Sequence, residues 1–246
     1  IPYIIRGKNV ASAFLEEFNK LVDSDFNGNA NLKVLKLQEV AGVPKIVGSN
    51  TLVLPLVQRI FAPKYRVGRP EDLQRTLNDG DTLSIKGNHY VDLGVVLDFT
   101  GRNHEMALDF YNQLSVELQS FERLPAVVVG YGLKNIAGGN YGLGLVRTEN
   151  TQIRPAKILA EGTAQFRDAD VSLDTGLPSK LVGEKNDRTL YTSPQRTPSL
   201  DNLGLSRLYL GWCLDLSSYG EDLAGSDGTG RVVLISGEAT AQNLAS

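Results

Sequence analysis

Asp98 follows the apolar residues of the run Val95-Val-Leu-Asp-Phe-Thr-Gly. A carboxylate at the end of an apolar strand, just before a turn into a helix, is where open α/β sheets place ligands and metal ions. With Thr100 two residues on and a distant acid such as Asp168, it would hold Mg²⁺ or Mn²⁺ and activate a water for hydrolytic or phosphoryl chemistry. The simpler role for Asp98 is to cap the turn that follows or to pair with Arg102. Asp168, Asp170 and Asp174 alternate within a polar stretch, as in hard-cation sites that take Ca²⁺. They lack the central Gly and terminal Glu of an EF-hand loop.

The Asp98 string resembles the metal-adhesion site of von Willebrand factor A domains. There an Asp and hydroxyl residues at two-residue spacing hold a divalent cation. Asp98 and Thr100 match the first two positions, while Arg102 stands at the third and cannot be a ligand. The resemblance covers these few residues only, and it implies a cation at Asp98 and Thr100.

A second constellation is the run Arg59-Ile-Phe-Ala-Pro-Lys-Tyr-Arg-Val-Gly-Arg69, with no acid among its residues. Arg59, Lys64, Arg66 and Arg69 would displace counterions from phosphates, and Tyr65 would stack on an exposed base. Glu71 and Asp72 follow directly and could neutralise that charge instead. A third is Gly130–Gly144, whose glycines allow close approach to a phosphate. A dinucleotide fingerprint needs a helix after the glycines, whereas 141–148 reads as a strand, so a glycine-rich hairpin is expected. Asp227-Gly-Thr-Gly reads as a hairpin turn. Nucleophile chemistry finds no frame. Cys213 sits among apolar neighbours beside Trp212 and reads as a buried, inert thiol, and Ser236 lacks the nucleophile-elbow context.

The elements that position these residues follow from periodicity. Val10, Ala13, Phe14, Phe18, Leu21 and Val22 predict an amphipathic helix after Asn9. A strand is expected at 32–37, a buried helix from Ser49-Asn50 to Phe61, and a short helix opened by Pro70-Glu-Asp. Thr82–Ile85 and Tyr90–Phe99 read as paired strands, with Val91, Leu93, Val95 and Leu97 on one face. A helix from His104 to Phe121 and a strand at Ala126–Val129 complete a strand–helix–strand unit, expected as a right-handed crossover. Beyond residue 130 the segments are glycine-punctuated and β-like. Residues 168–204 read as a long polar loop or insertion.

The fold expected is α+β: a mixed sheet with about four helices in the first half and a glycine-rich, mainly β second half, all in one domain over 1–246. A chain of 246 residues buries about 70 % of its unfolded surface, enough for a core without staples. One Cys excludes an internal disulfide framework, and two His leave little for a His-rich metal site. A net charge of −3 speaks against a globally basic nucleic-acid coat but not against a local patch. No apolar run approaches a membrane span. The opening Ile1 reads as a chain whose upstream stretch is missing, and the lone thiol fits either redox compartment.

Taken together, the residues favour a noncatalytic binding or assembly protein that works through its surface without a cofactor. Its partners would be other protein subunits, copies of itself among them, or nucleic acid met through Arg59, Lys64, Tyr65, Arg66 and Arg69. The alternative is a metal-dependent hydrolase or phosphoryl-processing enzyme built on Asp98, Thr100 and Asp168 with Mg²⁺ or Ca²⁺.

Overall fold

A computed structural model describes residues 2–3, 8–40, 43–80, 86–87, 89–118, 121–182, 188–220 and 222–236. The expected strand at 82–85 lies outside them. The first part of the chain contains β1 (Pro2–Tyr3), α1 (Lys8–Asp25), β2 (Lys36–Val40), β3 (Val43–Val47), α2 (Leu54–Phe61), β4 (Tyr65–Val67) and α3 (Pro70–Asn78). Next come β5 (Tyr90–Asp98), α4 (His104–Leu118), β6 (Ala126–Val129), β7 (Gly132–Asn135), β8 (Leu143–Val146) and β9 (Gln152–Pro155). The remainder holds β10 (Ala164–Phe166), β11 (Arg188–Tyr191), β12 (Gly204–Leu210), β13 (Leu216–Gly220), β14 (Gly230–Arg231) and β15 (Leu234–Ser236). All four α-helices of the described residues lie in the first half, and strands with short 3-10 turns fill the second: an α+β fold.

The main sheet runs β10-β11-β13-β12-β5-β6-β9, with β14 adding in parallel beside the start of β5. It is mixed, because β11 pairs with β13 in parallel while β12, β5, β6 and β9 alternate antiparallel. β6 returns antiparallel to β5, so the unit through α4 is not the parallel crossover expected from the sequence. The reason is local: Phe121, after α4, packs edge-on against Phe99, before it, at 5.3 Å. The chain therefore re-enters the sheet at the end it left.

β5 is the central strand, and its two faces support separate apolar clusters. Val95 and Leu97 join Phe14, Phe18, Phe110 and Leu114 from α1 and α4, while Val91, Leu93 and Val96 join Leu73 of α3 and Leu208 of β12. The alternation thus slips at Gly94, and Val91 and Leu93 do not share a face with Val95 and Leu97. Gly94 has φ +148°, and a Cβ there would stand 2.6 Å from the Val128 carbonyl oxygen. The register against β12 shifts at the same point, the signature of a bulge.

Helix signals translate well where caps and stripes agree. α1 buries Ala11, Phe14, Phe18 and Val22, leaving Val10 exposed. α3 starts at Pro70 as its first-turn proline and acids require. The helix expected from Ser49-Asn50 begins only at Leu54, because the Asn50 side chain accepts from Val53 N at 3.0 Å and holds the preceding turn. Residues 32–37 form a strand only from Lys36, since Asn29 caps a 3-10 turn over Ala30–Leu32. The segment 168–204 is not loop throughout: Arg188–Tyr191 inserts into the main sheet as β11.

Candidate functional site

Asp98 ends β5 with 2 % of its surface exposed. Its Oδ1 accepts from Thr100 N at 3.0 Å and Thr100 Oγ1 at 2.6 Å, and its Oδ2 accepts from Ser206 Oγ at 2.7 Å. Room for this cluster comes from Gly204 on β12, where a Cβ would stand 2.3 Å from Thr100 Oγ1. Burial pushes the Asp98 carboxyl above the usual carboxylate range, against the hydrogen bonds from Thr100 and Ser206. Arg102 turns instead to Ser193 Oγ at 2.6 Å and stacks on the Tyr219 ring.

Asp168 does not meet Asp98. Its Oδ1 accepts from Arg188 Nη1 at 2.6 Å, and Arg188 opens β11. The pairings Leu190↔Leu216, Leu216↔Leu210 and Leu210↔Val91 put β11 level with the start of β5. Asp98 stands at the opposite end of β5, with β12 and β13 intervening. Thr100 gives its hydroxyl hydrogen to Asp98, so the two act as a hydrogen-bonded pair rather than as joint ligands. Among the described residues no group of three or more His, Cys, Asp or Glu is placed to share a metal ion. Asp98, Thr100 and Asp168 are therefore not brought together as one ligand set.

The other acidic stretches are committed to local structure. Asp170 pairs with Lys180 at 3.3 Å, and Asp222 accepts from Ala224 N at 2.9 Å. Asp227 accepts from both Thr229 N and Thr229 Oγ1 at 2.6 Å. That turn is not a β-hairpin, since β14 pairs with β5. Gly130–Gly144 is the expected hairpin, with β7 and β8 in antiparallel register. Cys213 is exposed, contrary to the sequence reading, and so is Trp212 at 64 %. The apolar run 208–216 is broken by a tight turn in which Leu214 N donates to Gly211 O, Gly211 N donates to Asp215 O and Leu214 takes φ +64°. Both side chains stand at its tip.

The basic run folds into the end of α2, β4 and the approach to α3. Arg59 pairs with Asp25 at 2.6 Å on the surface. Lys64 lies over the Tyr65 ring at 5.3 Å, and that ring meets Phe61 edge-on at 6.2 Å. Arg66 forms a two-pronged ion pair with the buried Asp72 carboxylate. Arg154 of β9 does the same with Glu71. Arg69 differs: its Nη1 donates to the neutral Gln152 Oε1 at 2.9 Å. Burial, and the charges of Arg66 and Arg154, hold its guanidinium below the ordinary range against the opposing pull of Glu71 and Asp72.

Arg59, Arg66 and Arg69 line one furrow. Two adjoining cavities, of about 80 and 540 Å³, share Pro55, Gln58, Gly130, Tyr131 and Asn150 between α2 and the base of the β7–β8 hairpin. Arg66 and Arg69 border the smaller cavity, and Arg59 and Glu149 the larger. Gln58 fixes the wall, because its amide bonds both Tyr65 O and Val67 N and stands in for a strand beside β4. The sequence gives no sign of the far wall or of the Gln152–Arg154 contribution, which depend on β9 pairing with β6. The buried Asp92–Arg207 pair, by contrast, is signalled by opposite charges set in otherwise apolar strands.

Comparison with known proteins finds no matching family model, no similar curated protein and no similar solved structure.

Proposed function

We propose that this protein is a noncatalytic binding protein that meets the phosphate backbone of nucleic acid along the furrow between α2 and the β7–β8 hairpin. The observation that carries the reading is Arg69: a guanidinium matched to a neutral amide, flanked by two further arginines, at the mouth of a cleft. Glu71 and Asp72 act on its charge, but its side-chain hydrogen bond goes to an amide rather than a carboxylate, and a guanidinium so placed can take up a phosphate. The buried carboxylates support the same reading from the other side. Asp98, Asp92, Glu71 and Asp72 each take hydrogen bonds from named partners that tie strands and helices together.

The test is equilibrium binding to oligonucleotides at two salt concentrations, for the parent and for Arg59→Ala with Arg69→Ala. The double variant spares the Arg66–Asp72 pair and so keeps the fold. The reading expects weaker binding across all sequences and a shallower salt dependence, the mark of lost phosphate contacts. Unchanged affinity in the variant overturns it.

A further inference from the structure

We draw no further inference here: the strongest candidate, the surface patch of exposed tyrosines Tyr191 and Tyr219 on the neighbouring strands β11 and β13, carries nothing, because nothing in the structure shows what covers it.

Discussion

Arg207→Met is the most severe single change the fold predicts. Asp92, in the middle of the sheet, is 0 % exposed and receives both Arg207 Nε and Arg207 Nη2, the latter at 2.9 Å, together with Ser49 Oγ at 2.5 Å. Arg207 in turn lies over the rings of Tyr90 and Tyr209 and donates to Gly225 O at 2.7 Å. Methionine retains much of the contact with those rings but leaves the Asp92 charge buried with one hydroxyl. Breaking a buried pair from one side costs about 3–5 kcal/mol. At about 2–4 °C per kcal/mol for a chain of this size, Tm falls by about 10 °C. Replacing both partners, Asp92→Val with Arg207→Met, removes the stranded charge, and most of the loss is recovered. Urea unfolding of parent, single and double variants reads this directly. A single variant within 1 kcal/mol of the parent, or a double variant worse than the single, would refute the assignment of Asp92 and Arg207 as a mutually dependent pair.

Three further predictions follow from the same side chains. Because burial raises the Asp98 carboxyl, the folded state holds its proton more tightly than the unfolded chain, so stability falls as pH rises from the unfolded value of 3.8 through the raised folded value. Asp98→Asn is then at least as stable as the parent at pH 7, with the advantage fading as pH drops toward 3.8, and a variant less stable by more than 1 kcal/mol at pH 7 contradicts this. Asp72 shows the opposite sign: burial opposes its charge, but Arg66 and the Arg69 amide outweigh it and lower the carboxyl. Its stabilisation is present above 3.8 and is lost as pH falls through the lowered value, so Arg66→Gln flattens that acid limb in a pH series of urea midpoints. Cys213 in the native protein reacts with a thiol reagent without denaturant, in keeping with its exposure at the 211–215 turn, whereas labelling that waits for unfolding would place it inside.

Legibility in the sequence divides by range. α3 and α4 are written locally, in Pro70-Glu71-Asp72 and in the stripe Ala107, Phe110, Leu114 and Leu118, so each begins where expected. The basic run is equally visible as composition. What one segment cannot reveal is its partner. Ser206 reaches Asp98 across 108 residues, and Glu71 finds Arg154 across 83. These contacts give both carboxylates hydrogen-bond donors that no local pattern announces. The slip at Gly94 was also hidden, because alternation through 91–97 looks unbroken until Val128 O crowds the glycine. Cys213 misled for a related reason: apolar neighbours argue for burial only while the strand continues, and at Gly211 it turns. Strand β11 lies in a polar stretch whose place in the sheet is set by its pairing with β10 and β13.

Backbone hydrogen exchange with and without a saturating oligonucleotide tests the furrow most directly. The account predicts that protection on binding concentrates in the amides of 54–69, 130–133 and 146–150, the walls and arginine-bearing segments of the cleft. Protection centred instead on the exposed 211–215 turn or on the polar 168–182 segment, with the furrow amides unchanged, would contradict it.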